Sequence, residues 1–170
     1  MLAHQNRHLT TMKSSISHKI KHRKIANDEF YTPDLLAKKL ITLVPFNNND
    51  LILSAAYGTG NFYKHFPVNR VYTTDFFNWH TPVDWIIDNP PYSMLDKWLD
   101  HSALVSQKGF AYLLGLHNLT PKRIEHLEAK GFYIKQIFLC KVFKWYGISA
   151  FIVWEKHSTG IINYDRIVWR

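Results

Sequence analysis

The stretch Asp88-Asn89-Pro90-Pro91-Tyr92 constrains this chain more than any other. Two adjacent prolines lack donor N–H groups and each fixes its own φ. Each also drives its predecessor out of the helical region. The stretch follows Val83-Asp84-Trp85-Ile86-Ile87, an apolar run of strand type. It precedes Ser93 and a helically spaced series: Leu95, Trp98, Leu99, Ala103 and Leu104, with Gly109 as the expected stop. The chain must therefore leave a strand through a stiff extended turn. That turn holds the Asn89 amide, the Pro90 carbonyl and the Tyr92 ring at the strand end. In an open α/β sheet, strand ends are where ligands sit. A plain Pro-Pro turn is the alternative reading.

With 170 residues, 46% of them hydrophobic, the chain is long enough for one domain with a core. Its 26 aromatic residues suit a fold that also stacks on rings. The net charge of +8 points to a polyanionic partner, although a basic balance also serves solubility. A lone cysteine, Cys140, excludes an internal disulfide framework and a cysteine-based zinc site, and its apolar setting reads as a core thiol. No run is long enough to span a membrane, so a cytoplasmic protein without membrane association is the expectation. Residues 1–26 are polar and basic, and read as a flexible tail or a phosphate-docking arm; residues 27–170 read as the folded domain. The histidine spacings fit no standard ligand set, and no metal is expected.

Upstream of the Pro-Pro turn, Tyr31-Thr32-Pro33 opens a helix, with Thr32 as N-cap and Pro33 at the first helical position. Leu51-Ile52-Leu53 reads as a short strand that turns through Ser54-Ala55-Ala56-Tyr57-Gly58-Thr59-Gly60 into a helix. Gly58 and Gly60 let the backbone take positive φ close to a ligand. Val71 to Thr74 reads as the next strand, with Asp75 at its end, suited to accept from ribose hydroxyls. Phe76 follows, as a wall for a purine or as core.

Downstream, Phe110 to Leu114 reads as a buried strand, followed by His117 and Asn118, and Pro121 to Lys130 as a helix capped by Thr120 and closed by Gly131. Phe132–Phe143 and Ile148–Trp154 flank Lys144-Trp145-Tyr146-Gly147 and read as a hairpin. Ile161 to Trp169 reads as a short further strand or a loose tail.

Asn89-Pro90-Pro91-Tyr92 resembles the catalytic motif of S-adenosylmethionine-dependent amino-methyltransferases, closest to the DNA adenine-N6 class. The resemblance covers residues 29–155. It implies a single-domain Rossmann-like α/β fold, with a mostly parallel seven-stranded sheet and a C-terminal antiparallel hairpin. It also implies S-adenosylmethionine as cofactor, with Tyr31, Thr32, Pro33, Ser54, Ala55, Gly58, Gly60, Asp75, Phe76 and Asn89 near it. Asp88, Asn89, Pro90, Pro91 and Tyr92 would form the catalytic loop. Tyr92, with Trp145 or Tyr146, would hold a flipped adenine, and Lys144 would sit near the substrate backbone. The chemistry is legible: two acceptors aimed at the N–H bonds of an amino group favour a pyramidal, nucleophilic nitrogen and stabilise its developing charge. One departure stands out, because Ser54 occupies the strand-end position where such enzymes usually carry an acid.

DNA is the favoured partner on this reading, with RNA and the side-chain amide of a protein glutamine as alternatives. No separate target-recognition region is evident, so loose specificity or a protein partner supplying recognition is expected. A non-catalytic nucleic-acid-binding subunit is the rival from another class.

Overall fold

The computed structural model describes residues 31–142, 147–158 and 163–166. One seven-stranded sheet runs through the molecule in the order β2-β1-β3-β4-β6-β5-β7. Its strands are β1 (Ile52–Ser54), β2 (Arg70–Tyr72), β3 (Val83–Asp88), β4 (Ser106–Gly115), β5 (Phe132–Cys140), β6 (Ser149–Lys156) and β7 (Asn163–Arg166). Three α-helices accompany them among the described residues: α1 (Asp34–Ile41), α2 (Leu95–Val105) and α3 (Pro121–Glu128).

Only β6 runs against the others: it is antiparallel to both neighbours, while every other pairing in the sheet is parallel. The insertion of β6 between β4 and β5 is the antiparallel strand expected of the C-terminal hairpin. The seventh strand comes from the 161–169 segment, which pairs with β5 on the outer edge.

The period of two along the central strands separates two cores. Trp85, Ile87, Ala111, Leu113, Phe151 and Val153 face one side, where α1 covers them with Leu36, Ala37, Leu40 and Ile41. Ile86, Phe110, Tyr112, Leu114, Ile152 and Trp154 face the other, under α2 and Leu127 of α3. Strands buried on both faces are what near-continuous apolar runs produce. Cys140 lies buried in the first core, and burial pushes its thiol up to about 11.

The start of the sheet is clasped by charge. Lys108 at the beginning of β4 pairs with Asp50 and Asp84, the Asp50 carboxylate accepts from the Trp85 indole at 3.1 Å, and the Asp84 carboxylate accepts from the Leu51 amide at 2.9 Å. These bonds tie the N-terminal ends of β1, β3 and β4 together. The opposite, C-terminal ends are left to form a cleft.

Local signals in the sequence fail at several places: the turn through Gly60 leads into a single 3-10 turn, Tyr63–His65, where the sequence reads as a helix. Thr32 does not cap α1: the N-cap is Pro33, without a side-chain bond, and Thr32 is buried with its carbonyl taken by the Asn61 amide at 2.8 Å. Gly109 does not stop α2, which ends at Val105. It lies inside β4, opposite Trp85 and Glu155, where a Cβ would stand 2.2 Å from the Trp154 carbonyl and 2.6 Å from the Trp85 ring. By contrast Thr120 does cap α3, accepting from the Arg123 amide, and Gly131 closes that turn at φ +82°.

Candidate active-site cleft

A cleft of about 410 Å³ opens at the C-terminal ends of β1, β2 and β3. The Gly turn after β1 forms its floor through Ala55, Ala56, Tyr57, Gly58 and Thr59, with Asn61 and Phe62 beyond. Tyr31 and Thr32 close it from the α1 side, Thr73 and Thr74 from β2, Asp88, Asn89 and Pro91 from β3, and Trp98 from α2. Gly58 and Gly60 take φ of +49° and +75°, the left-handed region that glycine tolerates. The Tyr31 ring lies against Gly58 and Tyr57 packs over Gly60, so both glycines are closely approached by aromatic side chains as well as held at positive φ.

The two loops that carry the site are joined through Asp88. Its Oδ2 accepts from the Ser54 hydroxyl at 2.8 Å and from the Ala56 amide at 2.8 Å, while Oδ1 accepts from the Asn89 amide at 3.0 Å. Ser54 is fully buried and Asp88 is 3% exposed. Burial pushes the Asp88 carboxyl up to about 7, against the pull of the Ala56, Ser54 and Asn89 donors. Among the described residues that line the cleft, Asp88 is the one charged side chain and no Lys, Arg or His is present.

The cleft therefore gathers Tyr31, Thr32, Ala55, Gly58, Asp88, Asn89 and Pro91, all of them read from the sequence. Ser54, Gly60, Pro33 and Pro90 stand just behind this surface. Ser54 reaches it through Asp88, and Gly60 shapes the turn. Pro90 is buried beneath the loop.

Three residues sit differently from the sequence reading. Strand β2 ends at Tyr72, which leaves Asp75 exposed beyond it, with its carboxylate accepting from the Asn78 amide at 2.7 Å. The residues that meet the cleft there are Thr73 and Thr74. Phe76 is core and does not line the cleft; it stacks on Trp98 at 4.5 Å, and Trp98 supplies the wall instead. Tyr92 packs half-buried against the second core, with its hydroxyl 3.5 Å from the Leu113 carbonyl. Trp98 was hidden in the sequence because its spacing on α2 is that of a core position. Tyr57, Thr59 and Asn61 lie within the Gly-containing stretch and were legible as its neighbours. Trp145, Tyr146 and Lys144 lie outside the described residues, as does the 1–26 arm.

The chain matches no protein-family model and no curated protein. Solved structures do resemble it. A Listeria monocytogenes protein described as a class I S-adenosylmethionine-dependent methyltransferase superposes with a TM-score of 0.64 at 15% identity, over 87% of this chain and 68% of that one. The M protein of the type I restriction enzyme EcoKI gives 0.62 at 10% identity, over 89% of this chain and 51% of its own. Magnesium protoporphyrin IX methyltransferase from Synechocystis, solved with bound S-adenosylmethionine, gives 0.53 at 12% identity, over 72% and 77%. The fold is thus the Rossmann-like α/β fold of these methyltransferases. This chain spans about half the length of the EcoKI M protein.

Proposed function

We propose that this protein transfers a methyl group from S-adenosylmethionine to the exocyclic amino group of adenine in DNA, with the base turned out of the stack. The observation that carries the reading is the placement of Asn89 and Pro91, on either side of Pro90, at the end of β3 and across one cleft from the glycine turn of β1. Further support comes from the net charge of +8 and from the likeness to a restriction-enzyme M protein.

The cleft fits a nucleoside that carries an amino acid. Its glycine turn admits close backbone approach, and the Thr73 and Thr74 hydroxyls stand where a ribose needs partners. Thr32, whose buried hydroxyl has no partner among the described residues, lines the same cleft. Bound there, S-adenosylmethionine supplies an electrophilic methyl group. The chain supplies the acceptors: the Asn89 side-chain oxygen and the Pro90 carbonyl take the two N–H bonds of the amino group and stabilise the charge that develops on nitrogen. Two prolines hold these acceptors in place without reorganisation. Tyr92, tethered to the Leu113 carbonyl, is the ring available to one face of the base. The opposite face falls to Trp145 or Tyr146, with Lys144 toward the backbone phosphates.

The test is transfer of labelled methyl groups to duplex DNA, single-stranded DNA, RNA and glutamine-containing peptides. Asn89→Ala should lower transfer by about a thousandfold while S-adenosylhomocysteine affinity changes less than about fivefold. Transfer that survives in Asn89→Ala rejects the mechanism. Transfer to RNA or peptide in preference to DNA reassigns the substrate.

A further inference from the structure

The Asp88 carboxylate is placed as a buried anion without a cation. Four neutral donors, the Ser54 hydroxyl and the backbone amides of Ala55, Ala56 and Asn89, hold it, and it has no salt-bridge partner among the described residues. A carboxylate has about four lone-pair sites, and the groups on them are all neutral, so its charge is left without an opposite charge. A buried charge without an opposite charge is costly. Two things relieve it: a proton, or a cationic group brought by a ligand. Among the described residues the cleft it lines contains no other charged side chain, so a cationic ligand group has one carboxylate there to meet.

The strand ends explain how the charge came to this position. Strand β1 finishes in Ser54, a hydroxyl, where the cleft would otherwise receive a carboxylate directly. The neighbouring strand β3 finishes in Asp88, and the Ser54 hydroxyl donates across the gap to it. The negative charge is thus displaced by one strand spacing, ~4.8 Å, while remaining on the same cleft. The Thr32 hydroxyl, 4% exposed and without a partner among the described residues, lines the cleft from the α1 side and offers a second polar contact.

We propose that Asp88, oriented by Ser54, receives the ammonium group of the ligand's amino-acid end, replacing an acid at the end of β1. This rests on the reading of the cleft as an S-adenosylmethionine site. It makes Asp88 a determinant of ligand recognition: the cleft distinguishes an amino-acid-bearing nucleoside from the same nucleoside without it.

The experiment is calorimetric titration of the full chain and of Asp88→Asn with S-adenosylhomocysteine and with 5′-methylthioadenosine, which lacks the amino-acid end. The wild type should prefer S-adenosylhomocysteine by at least about tenfold. Asp88→Asn should reduce that preference to under about threefold, with 5′-methylthioadenosine affinity retained. An unchanged preference in the variant, or a parallel loss of both ligands, overturns the proposal. Failure of the wild type to bind either ligand overturns the cofactor reading itself.

Should Asp88→Asn not fold, the wild type decides the matter through pH. Tyr112 on β4 is the ionisable group facing Asp88; its hydroxyl is bonded to Ser102 and burial holds it far above its ordinary range. The β1 turn and the loop after β3 contribute the neutral donors of Ser54, Ala55, Ala56 and Asn89. Preference for S-adenosylhomocysteine should therefore fall as pH drops from about 7.5 to about 5, while 5′-methylthioadenosine binding stays level. A preference that is flat across that range overturns the proposal.

Discussion

At the scale of single residues, Asp88 governs both stability and the site. Its carboxyl, ordinarily near 3.8, is raised by burial to about 7 in the folded chain. Between those two values Asp88 holds more protons in the folded than in the unfolded state, so its own contribution to stability is greatest at acid pH and falls as pH rises, while Asp50 and Asp100, whose carboxyls are lowered, act in the opposite sense. A shift of this size corresponds to roughly 4 kcal/mol lost between pH 4 and 7, levelling off above. Asp88→Asn keeps the carbonyl acceptor and removes the titration. Denaturant unfolding at several pH values should show a shallower pH dependence in the variant, and an identical dependence would place the titration elsewhere. The same residue shows how a sequence conceals a site: Ser54 reads as a missing acid, yet its hydroxyl leads to one on the next strand.

At the scale of elements, the central strands are defined by what they exclude. Gly109 in β4 exists because the Trp85 indole and the Trp154 carbonyl occupy the space of a side chain. Trp85 in turn anchors β3 to the Asp50–Lys108 clasp at the start of the sheet. Gly109→Ala should therefore lower the unfolding free energy by about 3 kcal/mol, measured by chemical denaturation. A change below about 0.5 kcal/mol, the range of surface substitutions, would mean that the two tryptophans repack freely. On the cleft side, the Asn61 amide fastens the glycine turn to the carbonyl of Thr32. The entrance to α1 and the turn after β1 thus form one wall, although they are about thirty residues apart in the chain.

At the scale of the whole molecule, charge separates the proposed substrates. A chain of net charge +8 that docks on a nucleic acid releases counterions, so its affinity should fall steeply with salt, with a slope near −0.9 per duplex phosphate contacted. Binding of a short glutamine peptide should show little of that slope. Titrations of duplex, single-stranded DNA and RNA at three salt concentrations distinguish these outcomes.

Most of the architecture was determined locally. Continuous apolar runs fixed which segments are buried strands, period-3.6 stripes marked α1 and α2, the Thr120 cap and Gly131 stop marked α3, and the paired prolines after Asp88 set a stiff turn at a strand end. Glycines at 58 and 60 marked the backbone that approaches the cleft, since positive φ is a property of the residue itself. What the tertiary structure decided depends on contacts between distant segments. Whether Gly109 stops a helix or admits a tryptophan is settled by Trp85 and Trp154. Whether Trp98 is core or wall is settled by where α2 lies relative to the strand ends. The end of β2 at Tyr72 moved Asp75 outward and brought Thr73 and Thr74 to the cleft. Pairing of β1 with β3 joined Ser54 to Asp88, because hydrogen bonds across a sheet follow register, which no single strand specifies alone.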